Sequence, residues 1–450
     1  MKKVWLVVAL VALGGLTSKT FADVQNIRLS GDIRVRGYFI DSAGDDGTGA
    51  QAKGNASFIS QRTRVSVEAD LEDHVLVVVT LRAESLWGTD NESVHNVSGA
   101  GSGGVNGSVN RGWDVGVNEA YVQFNELFYT PATLKLGRQY LQYGRGLIIS
   151  SVEQEYNYDA ARLVLDYYPL TIDIVGAQLV NNQAFSGTGT HAGANDLLFV
   201  NARYELSDSA IKDVEAYLGW VSQGSSVPVT SSRVPPTTAG GSPLIVGIRS
   251  DMNLTQGLQT WIEGAYEFGS DGAVNNDTLS AFLFNLGGRY TLKDVQWVPV
   301  INGNYIFASG GGKGGGPGDS SFVPWFDYAD GYNGYLFAPS LSNIHIFNLG
   351  ASVKPYENTT LSLQVYYYLK ADKDSPAGSN PNVDFGGMSV APTASSRDIG
   401  WELDGILGYD YSKDVRAQLV YGVFVPENAY RHAGTSAVAE EVRAEVNVKF

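Results

Sequence analysis

Cysteine is absent from all 450 residues. That excludes a disulfide framework, thiolate-bound zinc, iron–sulfur clusters, a thiol nucleophile and a c-type haem attachment. Charge is scarce too: Asp, Glu, Lys and Arg make up 17% of the chain, against roughly 25% in ordinary soluble domains. Cations are the scarcer sign, and a formal charge of −16 excludes nucleic acid as a partner, because binding it rests on Lys and Arg contacts to phosphate. Beyond residue 22 no apolar run reaches 18 residues, so no transmembrane helix is expected. The five histidines (His74, His95, His191, His345 and His432) are scattered without metal-ligand spacing. Neither a His-Glu-x-x-His nor a Gly-x-Ser-x-Gly motif occurs. The glycine-rich run around Lys313 is no phosphate loop, since Phe307 and Gly314 occupy positions that a P-loop gives to Gly and to Ser or Thr. These absences argue against an enzyme and against any cofactor or metal.

What is present begins with a leader. Lys2 and Lys3 precede an apolar stretch from Val4 to Leu16, and Thr20-Phe21-Ala22 ends in residues suited to signal peptidase. Residues 1–22 are expected to be a cleaved Sec signal peptide and 23–450 a single domain. Losing Lys2, Lys3 and Lys19 takes the net charge from −16 to −19.

After the leader the pattern is period 2. Ile33-Arg34-Val35-Arg36, Thr63 to Asp70 and Leu361 to Tyr366 each set apolar residues on one face and charged or hydroxyl residues on the other. About 18 strands are predicted: 27–40, 57–71, 75–87, 115–128, 133–143, 158–168, 170–180, 197–206, 213–222, 243–253, 257–268, 279–292, 295–308, 342–354, 359–370, 398–411, 415–425 and 437–450. Most are long enough to cross a bilayer at a tilt, which takes about 9–11 residues. Their connections alternate between short (Glu72 to His74, Lys293-Asp294, Ser412 to Asp414) and long, polar and Gly-rich (88–114, 309–341, 371–397). That alternation predicts an all-β fold: a transmembrane antiparallel β-barrel with short periplasmic turns and long extracellular loops, in the outer membrane of a Gram-negative bacterium. One or more loops are expected to fold inward and narrow the lumen. Aromatic residues near strand ends (Tyr38-Phe39, Trp87, Phe128-Tyr129, Tyr140 with Tyr143, Tyr167-Tyr168, Phe268, Trp297, Tyr366 to Tyr368, Tyr409 with Tyr411) are read as interfacial girdles. The alternating last strand, ending in Phe450, matches the signal that barrel-assembly machinery reads.

In such a barrel the polar face lines the lumen. Arg34, Arg36, Arg62, Arg64 and Arg82 then form a basic stripe on the first three strands, with Arg162, Arg203 and Arg289 elsewhere on the wall. The stripe is either a rail for anionic solutes, since guanidinium groups grip carboxylates in pairs of hydrogen bonds, or a salt-bridge network with Asp32, Glu68 and Glu84 that stiffens the wall. Lumen acids and bases are near balance, which assigns much of the surplus acid to loops. Those loops are expected to reach lipopolysaccharide through divalent cations.

The segment Leu136-Gly137-Arg138-Gln139-Tyr140-Leu141-Gln142-Tyr143-Gly144-Arg145-Gly146, followed by Tyr158-Asp159-Ala160-Ala161-Arg162-Leu163, resembles the alginate-export family of outer-membrane barrels. So do Tyr332-Asn333-Gly334-Tyr335, Gly400 to Asp404 and Tyr421 to Pro426. The resemblance implies an 18-stranded barrel whose lumen arginines pass an anionic polysaccharide, and it carries over Arg138, Arg145 and Arg162. Arg145 stands where the family often has Asp. Together these readings predict a passive porin-like channel for small solutes or an anionic polysaccharide. The alternatives are a surface structural or adhesin barrel with a plugged lumen, and a barrel sheath for a partner protein.

Overall fold

In the computed structural model the alternating segments are strands of one antiparallel sheet. The structure describes residues 24–45, 51–88, 113, 115–151, 157–180, 195–207, 209–222, 241–270, 278–311, 320–322, 325, 333–374, 396–429 and 438–450. The predicted leader and most of the long loops lie outside the described residues. The strands are β1 (Val24–Asp45), β2 (Gln51–Leu71), β3 (Val75–Leu86), β4 (Val115–Phe124), β5 (Ala132–Gln139) and β6 (Tyr158–Tyr167). Next come β7 (Leu170–Val180), β8 (Asn195–Glu205), β9 (Ile211–Ser222), β10 (Ser242–Thr255), β11 (Leu258–Ser270) and β12 (Thr278–Thr291). The last six are β13 (Val300–Ala308), β14 (Ile344–Tyr356), β15 (Thr359–Lys370), β16 (Asp398–Asp410), β17 (Val415–Pro426) and β18 (Ala439–Lys449). Each pairs with the next, and β1 pairs with β18 from Asp32 opposite Lys449 to Asp41 opposite Glu440. The sheet therefore closes on itself as a transmembrane 18-stranded barrel with no free edge.

All eighteen expected strands are present. Several boundaries differ: β1 runs on to Asp45 rather than 40, β2 starts at Gln51 rather than 57, and β4 stops at Phe124 rather than 128, because Glu126, Phe128 and Tyr129 take positive φ values in the turn after it. β13 starts at Val300 rather than 295, because Trp297 and Val298 take positive φ values in the turn before it. β5 stops at Gln139 rather than 143, because the chain there leaves the wall and runs into the barrel.

The outward face is apolar. On β15, Leu361 and Leu363 are exposed while Tyr366 and Tyr368 point inward and are buried. Exposed aromatics form two rows. Phe128, Tyr129, Tyr167, Tyr168, Trp297, Tyr356, Tyr409 and Tyr411 lie beside the short turns, and Phe39, Trp87, Trp220, Phe282, Phe347 and Trp401 lie toward the long loops. Trp401 and Tyr409 on β16 are eight residues apart; at about 3.4 Å per residue and a tilt of about 40° they span about 21 Å, close to the roughly 25 Å apolar band of such barrels. Seven expected girdle residues are not in the rows. Phe268 and Tyr367 are half-buried, stacked on Tyr266 and Trp401. Tyr38, Tyr143, Tyr366 and Tyr368 are buried inside, and Tyr140 bonds through its hydroxyl to Asn118.

The last residue completes the closure. Phe450 and Gly31 exchange backbone hydrogen bonds of 2.8 and 3.0 Å. The Phe450 ring lies against Gly31, where a Cβ would meet it at 2.6 Å and the Arg64 carbonyl at 2.4 Å. Glycine in the middle of this strand is thus required by close approach. Gly31→Val is expected to cost about 1–3 kcal/mol of overpacking and to lower the fraction of chain reaching the folded, heat-modifiable band on gels. A wild-type yield would show that the seam tolerates a side chain there.

Candidate pore and its constriction

Residues opposite one another in the sheet share a face, so the register decides which arginines line the lumen. Arg34 lies opposite Arg62, and Arg64 opposite Arg82. Like charges in that position repel, and carboxylates intervene. Asp32 takes Arg62 at 3.4 Å and also Arg64. Glu84 takes Arg34 at 3.6 Å and also Arg82. Glu445, from β18, takes Arg36. Asp32 and Glu84 thus each bridge two of these guanidinium groups across the wall. The expected network exists, with one change of member: Glu68 pairs with Arg28 at 3.0 Å nearer the short turns, and not with the stripe.

The remaining sequence-predicted arginines divide. Arg162 is inside, bound to Asp173 at 2.5 Å. Arg203 is inside on Asp213 at 2.6 Å, and Arg289 donates to Gln259 at 2.5 Å. Arg145 lies in the lumen on a loop. Arg138 does not line the lumen. It shares its face with Leu134 and the exposed Leu136, sits opposite Ala120 and Asp159, and pairs with Asp159 on the barrel's exterior at 3.4 Å.

Two segments cross the interior. The first follows β5. Its apolar residues Leu141, Tyr143, Leu147, Ile148 and Ile149 are buried against inward residues of the wall such as Val175, Phe199 and Ile245. Polar contacts fix it in place. The Gly144 N–H donates to Glu215 at 2.9 Å, the Arg145 N–H to Glu263 at 3.1 Å, and the Arg145 side chain to Asp251 at 3.2 Å while stacking 4.1 Å over Trp261. The Tyr143 hydroxyl donates to Asp173 at 2.9 Å. Burial pushes this phenol well above the ordinary tyrosine range, so it stays a donor.

The second segment precedes β14. Glu402 on β16 is buried and accepts three consecutive backbone N–H groups: Tyr335 at 2.7 Å, Leu336 at 2.8 Å and Phe337 at 2.9 Å. The Tyr368 hydroxyl lies within hydrogen-bond distance of two acceptors, the Asn333 carbonyl (2.7 Å) and Glu402 (3.0 Å), between which its one proton is shared. Phe337 stacks on Phe424 with ring centroids 4.6 Å apart. One wall carboxylate thereby holds the turn of a loop, as an anion held in a nest of N–H groups. That Glu263 and Glu402 hold loops is not foreseen by the sequence reading. The available signal was apolar residues inside loops read as polar: Leu147-Ile148-Ile149 and Leu336-Phe337.

Below both segments, toward the short turns, is a chamber of about 430 Å³. Arg145 and Tyr335 form its roof; Trp261, Arg289, Tyr366 and Arg416 stand on its walls among amide and hydroxyl side chains. The path through the barrel therefore passes an ion-paired, arginine-bearing wall, is narrowed by two anchored segments, and is polar beneath them, where Arg145, Arg289 and Arg416 are its charged residues. Glu402→Ala removes the acceptor of three buried N–H groups, at about 1–3 kcal/mol each. The variant is expected to show higher single-channel conductance and more open-channel noise than wild type, with Glu402→Gln in between. Unchanged conductance in both variants would show that the loop is held without this residue.

The comparisons with known proteins agree with the barrel fold. The family model for alginate export matches residues 26–443. No curated protein matches the chain in sequence. Among solved structures, OccAB1 of Acinetobacter baumannii superposes with a TM-score of 0.57 at 12% identity, covering 97% of this chain and 99% of its own. OpdL of Pseudomonas aeruginosa gives 0.56 at 12%, covering 94% and 99%. OccK2 (OpdF) of Pseudomonas aeruginosa, in complex with glucuronate, gives 0.55 at 10%, covering 95% and 97%. At these identities the structural likeness shows the fold alone. The sequence match spans nearly the whole barrel, and the chain belongs to the alginate-export family.

Proposed function

We propose that the chain is a passive outer-membrane channel for anionic solutes, with the β1–β3 arginines setting charge preference and the two inward segments setting size. The observation that carries this reading is the clustering of five guanidinium groups, those of Arg34, Arg36, Arg62, Arg64 and Arg82, on the inward face of β1–β3. Four of those arginine side chains are 13% exposed or less, so their charges lie where solvent screening is weakest. Arg145, Arg162, Arg203 and Arg289 add cationic points along the wall. The glucuronate bound to OccK2 is a carboxylate of the kind such a wall would favour, and the alginate-export match supports an anionic polymer as the larger form of the same cargo. Nothing in the mechanism draws on an enzyme or a cofactor. The barrel would sit among outer-membrane lipid and lipopolysaccharide after assembly machinery has read the exposed terminal Phe450.

Reversal potentials across a salt gradient test the reading. Wild type is expected to favour anions. Replacing Arg34, Arg62 and Arg82 together by Gln leaves Asp32 and Glu84 with fewer counter-charges, so the permeability ratio should move toward cations by about twofold or more. Unchanged selectivity would reduce the arginines to wall-stiffening salt bridges. A persistently closed pore would favour a plugged surface barrel instead.

A further inference from the structure

The chamber beneath the constriction differs chemically from the arginine wall. Its β12–β15 side is a ladder of carboxamides. Asn285 donates to Asn304 Oδ1 at 2.9 Å, and the Trp261 indole N–H donates to the same oxygen at 3.0 Å. Asn302 donates to Asn348 and to Gln364, both at 3.1 Å, and Asn348 donates to Gln364 at 3.1 Å. Two strand glycines make room for these side chains to lie flat. A Cβ at Gly287 would meet Trp261 at 2.4 Å and Asn304 at 2.5 Å, and one at Gly350 would meet Gln364 at 2.0 Å. The ladder is therefore preorganised.

Two of the chamber's three arginines are ion-paired. Arg145 is held by Asp251 and stacked on Trp261, and Arg416 is held by Asp410 at 3.0 Å; Arg289 donates to the neutral Gln259 and keeps its charge. The ladder, by contrast, keeps an acceptor in reserve. Asn285 is 2% exposed, and its Oδ1 is a buried oxygen without a hydrogen-bond partner. A carboxylate brings only acceptors and cannot satisfy that oxygen. A hydroxyl can, since it donates and accepts at once. Aromatic faces at Trp261, Tyr335 and Tyr366 complete a lining of amide, hydroxyl and ring, within a volume that falls in the roughly 300–1,000 Å³ range of small-molecule sites.

We propose that this chamber is a binding site for an uncharged, hydroxyl-rich solute, a neutral saccharide unit, that engages the Asn285–Asn304–Gln364 ladder independently of charge selection at the arginine wall. The anion preference proposed above and this site are separate properties of one pore, measured by different quantities.

Single-channel recordings of the mature barrel with sucrose as probe test the proposal, alongside a polyethylene glycol of matched size and glucuronate. Sucrose is expected to reduce the current saturably. Asn285→Leu and Asn304→Leu should each weaken that block about fivefold to tenfold, with reversal potential unchanged and the folded gel band retained. Two variants keep the test open should one fail to assemble. Overturning results would be a sucrose effect no larger than that of the matched glycol, block by glucuronate without block by sucrose, or undiminished sucrose block in whichever variant folds. Loss of anion preference in wild type would count against the arginine wall and leave the sucrose result standing.

Discussion

Inside a bilayer no water is present to satisfy a backbone N–H or C=O, and each group left unpaired costs several kcal/mol. That constraint shapes the rest of this molecule. It demands a closed sheet, so β1 must pair with β18. Closure in turn fixes which side of each strand meets lipid and which meets the lumen. The period-2 alternation and the bare glycine under Phe450 both serve that closed ladder.

Closure moves the packing problem indoors. A barrel of 18 strands is too wide for side chains alone to fill, and this one meets the problem in three ways around its circumference. Along β1–β3 and β18 the inward face is a network of shared ion pairs. Along β12–β15, on the short-turn side, it is a self-bonded ladder of amides. Toward the long loops, on β7–β14, inward residues such as Val175, Phe199, Ile245, Leu283 and Ile346 are apolar and buried beneath the two crossing segments. The barrel's hydrophobic core is thus inside it. The carboxylates that anchor those segments, Glu215, Glu263 and Glu402, stand close to that apolar zone, where backbone donors on the segments give them hydrogen bonds that water cannot.

The strand count, the pairing of short with long connections and the arginine stripe were legible because each rests on strict alternation, which lipid enforces on one face. Legibility failed where that enforcement lapses. Ala281-Phe282-Leu283-Phe284 and Leu197-Leu198-Phe199-Val200 break the apolar–polar rhythm with continuous apolar runs, and such runs mark strands buried on both faces. Read that way, they announce that something apolar covers the lumen side there. Arg138 was assigned to the lumen from a motif. The alternation of Leu134, Leu136 and Arg138 already places it outside, where its partner is Asp159. The three N–H groups on Glu402 are a long-range backbone contact, and no local pattern encodes them.

The account stands or falls on which side of the wall each alternating residue faces. Because the chain has no cysteine, single substitutions report this without background. Ser362→Cys and Leu363→Cys differ by one position on β15. A membrane-impermeant, charged thiol reagent should reduce the current of the Ser362→Cys channel and leave the Leu363→Cys channel unaffected, while a lipid-soluble thiol label should reach Leu363→Cys. Equal modification at both positions, or the reverse pattern, would contradict the barrel's register and everything built on it.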